Sequence, residues 1–346
     1  MPKAVRFHEV DKPLKIEEID FPKIGSNEVV LKILASSLCY SDVHVTTGVI
    51  PVKRPITLGH EICGEIEELG DNIIDFKKGD KTVVYFISPC GDCDQCVVGN
   101  SSTCNHIYDL PMYGFSTDGG FAEYMKVKAK NLVKVTGNIP SEFLANLGCA
   151  GITALHAVNF ISQVNLGHTI AVYGTGGVGM YVLQLAKLSG AKTAIAIGRS
   201  EEKLQLARTC SFADETVNLT NENLSDRIKG ITDGLGVDYV FDFAVSDESL
   251  NNSSKIISNN GKIILVGIGT QPISVNPKRI TFKENCIIGS NVGTKSELKL
   301  LVDLAQKNTL KSVSNTKYRL DEANHVFNLF KDGKIRGRAF FDPSSP

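Results

Sequence analysis

Between Thr169 and Gly190 the chain reads TIAVYGTGGVGMYVLQLAKLSG, an apolar run that ends on glycine and passes into a helix-like pattern. Gly174, Gly176 and Gly179 fall in a G-x-G-x-x-G spacing directly after the apolar run. Val178, Val182 and Leu185 then lie on one helical face. That order leaves little freedom: a buried strand, a tight turn, then a helix. Gly174 permits the turn, Gly176 lets backbone amides approach a pyrophosphate, and Gly179 allows close helix–strand packing. The helix N-terminus adds partial positive charge facing the phosphates. Gly174, Gly176, Gly177, Val178 and Gly179 are therefore the expected dinucleotide contacts, because the glycine pattern stands in its strand–turn–helix context.

The flanking text supports this. TAIAIG, VDYVFDFA, GKIILVG and CIIGS are short apolar strands, mostly separated by helix-like segments. Such alternation predicts a doubly wound parallel sheet. From Lys3 to about Lys134, short runs such as EVVLKILASS, CGEIEELG, KKGDKTVVYF and GGFAEYMKV sit between turn residues, predicting an irregular, mostly antiparallel β domain. After about Gly289, SELKLLVDLAQKN and LDEANHVFNLFKDG read as helices and GRAFFDP as a closing strand. At 346 residues the chain has the length of two domains. The expected boundaries are 1–150 with 290–346, and 151–289.

About 20 residues beyond the glycine loop, a second strand should end where an adenosine ribose is read. Many dinucleotide sites carry an acid there. This chain has Gly198, Arg199 and Ser200. An acid would repel a 2′-phosphate by about 4 kcal/mol at roughly 4 Å and an effective dielectric near 20. Gly198 removes the clash, Arg199 offers a planar fork of donors, and Ser200 adds a hydroxyl. The expectation is NADP(H), with NAD(H) as the alternative and Arg199 as a plain surface charge in that case.

Nine cysteines complete the chemistry. Cys90, Cys93, Cys96 and Cys104, in CGDCDQCVVGNSSTC, can close a tetrahedron around one Zn²⁺ with no open position. Such a site is structural, and its metal contributes on the order of 10 kcal/mol or more; an iron–sulfur cluster is the competing reading, and His106, near enough to be a substitute ligand, reads rather as a loop histidine. Cys39 (SLCYSDVH), His60 and Glu61 (LGHEICGE) and Cys149 (NLGCAGIT) are dispersed. A Cys/His/Cys set around zinc leaves a position for water or substrate, although each residue singly reads more readily as structural than as a ligand.

The rest narrows the class. A net charge of −1 gives no reason to expect nucleic acid or an anionic membrane. No apolar run approaches the roughly 20 residues of a membrane span, and MPKAVRFHEV lacks the features of a secretory signal. Cytoplasm is the expected address.

The motifs C-x-S-D-x-H, GHE, the four-cysteine lobe, CAGIT, the glycine loop and GRAFF occur together and in one order. On them the chain resembles the zinc-dependent alcohol dehydrogenase branch of the medium-chain dehydrogenase/reductase family, along essentially its whole length. The resemblance implies an α/β architecture: a GroES-like β-rich catalytic domain, completed by the C-terminal segment, plus a Rossmann cofactor domain, with the active site in the cleft between them. It implies two Zn²⁺ per chain, the catalytic one on Cys39, His60 and Cys149 with Glu61 able to approach, and Asp42 orienting the histidine. It implies Ser41 at the substrate oxygen and His44 as proton exchanger, linked through the nicotinamide ribose. Thr153 would pack behind the nicotinamide, Val266 would meet its carboxamide, and Arg338 would reach the pyrophosphate. Phe86 would line an apolar substrate pocket, and Tyr40 stands where relatives carry a basic phosphate contact. Cys63, Cys210 and Cys286 match no ligand position and are expected as buried thiols.

The expected function is an NADP(H)-dependent alcohol dehydrogenase acting as aldehyde reductase on a small alcohol, aldehyde or ketone, as a homodimer or homotetramer. The alternatives are a polyol or sugar dehydrogenase, an enone or enoyl reductase, and an NADPH sensor without turnover.

Overall fold

The seven-stranded sheet of the first unit is built around Glu28–Ser37, whose ten residues are buried on nearly every side. In the computed structural model, which describes residues 1–313 and 315–344, the chain divides into Met1–Ile152 with Gly293–Pro346, and Thr153–Val292. In the first unit Glu28–Ser37 pairs antiparallel with Glu61–Leu69, Tyr124–Lys128 and Arg338–Phe341. Lys81–Val84 and Leu132–Lys134 extend one side, and Asn315–Tyr318 lies parallel to Arg338–Phe341 on the other. A small antiparallel sheet joins Lys15–Glu18, Lys3–Phe7 and Ile56–Thr57. Between these layers pack Val5, Phe7, Leu38, Leu58, Phe121, Phe327 and Phe341. The edge-on Phe121–Phe341 pair, centroids 4.8 Å apart, anchors this core.

The second unit is a six-stranded parallel sheet. Its spatial order is Glu215–Asn218, Thr193–Gly198, Thr169–Tyr173, Val237–Asp242, Ile257–Leu265 and Cys286–Gly289. Numbered along the chain that is 3-2-1-4-5-6, the doubly wound order that reverses direction beside the first strand. Glu215–Asn218 was not legible as a strand. Its four residues, ETVN, form no apolar run, and its pairing with Thr193–Gly198 decides its conformation.

Two expectations are corrected. A helical run over Ser141–Ile161 is long and apolar enough, by length and composition, to cross a bilayer, yet 78% of its apolar window is buried inside the protein. Its apolar character therefore serves a core. Cys63 is buried as expected, but Cys210 is only half-buried and Cys286 is exposed. Cys286 begins the edge strand, so only one side of its backbone is paired.

Candidate active site

Cys39, His60, Glu61 and Cys149 place one ligand atom each within 4.8 Å of one another, and all four are buried. Distant parts of the chain make this possible. Cys39 is the extended residue that opens the helix Tyr40–Thr46, while Glu61 begins a central strand. Cys149 sits in Leu147–Gly151, a turn wound as π-helix. Such turns are rare and concentrate at functional positions; the sequence carried no sign of it.

Asp42 ties two of the segments together. Its Oδ2 accepts from the Cys39 amide at 2.9 Å, and its Oδ1 from the Gly59 amide at 3.2 Å. The same Oδ1 lies 3.3 Å from His60 Nδ1, which leaves Nε2 to face the cluster. Gly59 is needed where it stands: its φ is +91°, and a Cβ there would come within 2.5 Å of the Phe121 ring.

Arg338 is almost fully buried and donates to Glu61 Oε2 and, at 3.2 Å, to Asn146 Oδ1. The residue expected at a pyrophosphate is thus engaged, within its own unit, by the acid of the candidate metal cluster. Glu61 Oε1 is buried and has no hydrogen-bond partner among the described residues. An orphaned carboxylate oxygen among two thiols and an imidazole fits a divalent cation, because nothing else present satisfies it.

The electrostatics agree. A hydrogen bond from Cys149, opposed by burial, holds the Cys39 thiol well below its ordinary range. Its partner Cys149 is raised well above, by the same hydrogen bond and by burial. Burial pushes Glu61 up to about 8 against the pull of Arg338. The cluster resists carrying all its negative charges together, and a cation removes that resistance.

Around the cluster, Ser41 Oγ lies 3.8 Å from Cys39 Sγ. His44, one turn on, is nearly buried beneath Tyr40, ring centroids 5.0 Å apart. Burial lowers the His44 imidazole below its ordinary range, partly offset by Cys39. Phe86 lies 5.1 Å from the His60 ring. Phe115, which sequence reading did not single out, lies 4.7 Å from it. Asn131 was also missed; buried, it donates to the carbonyls of Tyr85 and Ile87 at 2.7 Å each and so fixes the backbone on both sides of Phe86. A lone asparagine beside a short strand gives no sequence signal for that.

In the second cluster the sulfurs of Cys90 and Cys96 are 3.7 Å apart, Cys93 and Cys104 3.9 Å, and Cys104 and Cys90 3.4 Å. Four thiolates about 2.3 Å from one zinc lie roughly 3.8 Å from each other, so the spacing suits a closed tetrahedral site. His106 is outside this set.

In the other unit, Gly174 has φ +104° and would press a Cβ to 3.2 Å from that of Phe243. A Cβ on Gly179 would meet the Gly174 carbonyl oxygen at 2.4 Å, whereas Gly176 faces open space. Gly176 caps the helix Gly177–Leu188, in whose first turn Val178 lies. Beside the loop, buried Asp242 accepts from the amides of Ala244 and Val245 and from Ser249 Oγ, which shapes the turn after the fourth strand. Gly198 ends the second strand; a Cβ there would lie 3.1 Å from Thr175 Oγ1. Arg199 is exposed and pairs with Glu248 at 2.5 Å. Ser200 caps the next helix by accepting from the Lys203 amide at 3.4 Å. Thr153 lies in the helix Ile152–Leu155, and the Val266 amide donates to the Asp242 carbonyl at 3.0 Å.

Residues 25–137 match the family described as alcohol dehydrogenase GroES-like domain, and residues 177–307 match zinc-binding dehydrogenase. The chain is 32% identical to an NAD-dependent alcohol dehydrogenase of Sulfurisphaera tokodaii over 99% of its own length and 100% of that protein. The chain belongs to the zinc-binding alcohol dehydrogenase family. Among solved structures, the alcohol dehydrogenase of Aeropyrum pernix superposes with a TM-score of 0.90 at 32% identity, covering 99% of this chain and 100% of that one. A Sinorhizobium meliloti protein described as a zinc-binding dehydrogenase, bound to NADP, superposes at 0.89 with 27% identity over 99% of both chains. This alcohol dehydrogenase family member is accordingly a hydride-transfer oxidoreductase that uses NAD(P)(H), with a GroES-like β unit and a Rossmann-like parallel sheet.

Proposed function

We propose that this family member is a zinc-dependent alcohol dehydrogenase that works as an aldehyde reductase and prefers NADP(H). The observation that carries the proposal is the buried Cys39/His60/Glu61/Cys149 set with its orphaned Glu61 oxygen. Zinc bound there would polarise a carbonyl oxygen, and the nicotinamide would supply hydride. The chain's own residues do the rest. Asp42 orients His60 and holds the Cys39 amide, so two ligands are set in advance. Arg338 holds one oxygen of Glu61 and leaves the other available. Ser41 presents a hydroxyl beside Cys39, and His44, one turn further, takes up or releases the proton. Burial lowers the His44 imidazole below its ordinary range, partly offset by Cys39, and in the reductive direction His44 passes inward a proton taken from solvent.

The four cysteines of the lobe would hold a second, structural zinc. Phe86 and Phe115 against His60 favour apolar or aromatic carbonyl compounds over polyols and sugars. Retention of the complete metal set favours an alcohol/carbonyl couple over reduction of a carbon–carbon double bond. NADP(H) preference rests on Gly198, Arg199 and Ser200, with Thr153 and Val266 proposed at the nicotinamide. A cytoplasmic homodimer or homotetramer belongs to the same proposal, with light scattering to read the assembly.

Elemental analysis together with kinetics tests it. Two zinc atoms per chain, abolished turnover in Cys39→Ala, and higher kcat/KM with NADPH than NADH are expected. One zinc per chain with Cys39→Ala fully active would remove the catalytic assignment. A native preference for NADH would remove the cofactor assignment alone.

A further inference from the structure

The tip of the second strand has no acid, yet an acid is present beside it. Glu248 comes from the first turn of Asp247–Ile256, the helix that follows the fourth strand. Its Oε2 accepts from Arg199 Nη2 at 2.5 Å. The partners are 49 residues apart in sequence, and the fold brings together the segments that follow the second and fourth strands, which flank the first strand in the sheet. Tyr173, the residue before Gly174, feels both charges, so the pair lies close to the glycine loop. The Arg199 backbone is held separately by Thr220 Oγ1, which donates to its carbonyl at 3.1 Å. Only the guanidinium is free to change partner. Nearby Glu201 is already engaged by Arg208 and Asn218. Ser200 Oγ accepts from the Lys203 amide.

We infer that Glu248 is a specificity-determining residue that competes with a 2′-phosphate for Arg199 and so moderates the preference for NADP over NAD. This rests on the proposed placing of the adenosine ribose at Gly198, Arg199 and Ser200. A 2′-phosphate drawn to Arg199 must displace the Glu248 carboxylate or sit beside it. Either event weakens its binding, while a nucleotide with a free 2′-hydroxyl meets no such opposition. The pair is exposed, so the effect is modest and falls with salt. The acid absent from the second strand is thus supplied by the helix after the fourth, in a form that yields to phosphate.

Calorimetric titration of the zinc-loaded full chain with 2′,5′-ADP and 5′-ADP tests this without turnover. Glu248→Gln is expected to tighten 2′,5′-ADP by about fivefold at low salt and to leave 5′-ADP within about twofold. Arg199→Ala added to it should erase the gain, and matched melting temperatures confirm intact folds. If Glu248→Gln binds 2′,5′-ADP like the wild type while Arg199→Ala alone weakens it, the inference is overturned and the NADP reading survives. If neither variant nor wild type distinguishes the two nucleotides, the NADP reading falls and takes the inference with it.

Discussion

Asp42 and His60 meet at 3.3 Å in full burial, and the same carboxylate also holds the Cys39 amide. One side chain therefore sets the orientation of two residues of the proposed metal set, from different segments. Asp42→Asn keeps the shape and removes the charge. Zinc affinity at this cluster is expected to fall about 10- to 100-fold. Competition with a chromophoric chelator would measure it, with the four-cysteine site as internal control. Unchanged affinity would mean that Asp42 is only a helix-capping residue.

The glycine loop separates fold from binding. Gly176 faces open space at φ −80°, so Gly176→Ala should leave the melting temperature unchanged while weakening dinucleotide binding. Gly179→Ala drives a Cβ to 2.4 Å from a backbone oxygen. It should destabilise the protein by about 1–3 kcal/mol as well. Thermal melts with and without NADPH distinguish the two.

Asn131 spends both amide hydrogens on the carbonyls flanking Phe86. Asn131→Leu leaves two buried carbonyls unsatisfied, which should cost about 2–4 kcal/mol in chemical denaturation. Its mark on activity should be a raised KM for aromatic aldehydes, because Phe86 loses its support while the proposed metal ligands keep theirs. An unaltered KM would detach Asn131 from the substrate wall.

Asp80 carries the acid end of the stability profile. Burial opposes its charge, but the hydrogen bond from Lys134, the Lys77 amide and the charge of Lys134 prevail and hold it below the ordinary carboxylate range. A folded value below the unfolded one contributes stability above the ordinary carboxylate pKa of about 4, lost as pH falls through the folded value. Asp80→Asn should therefore be less stable than wild type at neutral pH and converge with it below about pH 4. Urea midpoints at both ends measure this; a constant gap across pH would sink the charge argument.

Much of the molecule was readable before folding. The glycine loop, five of the six parallel strands and the cysteine lobe are local patterns, legible because backbone sterics and ligand spacing act within a few residues. The dispersed metal set needed the family resemblance, since Cys39 and Cys149 are unremarkable in their own surroundings. ETVN was missed because a short, half-polar strand takes its conformation from its neighbour.

What the sequence alone determined, then, was which residue types were available and where the chain turns: the glycines, the thiols, the apolar strands. The tertiary structure decided who meets whom. Arg338 reaches Glu61 across 277 positions, Glu248 reaches Arg199 across 49, and a helix apolar enough for a membrane is spent on a protein interior. Periodicity and glycine geometry are properties of neighbouring peptide units and can be read in order. Burial and ion pairing depend on packing between segments that share no local sequence, so they exist only once the chain has folded.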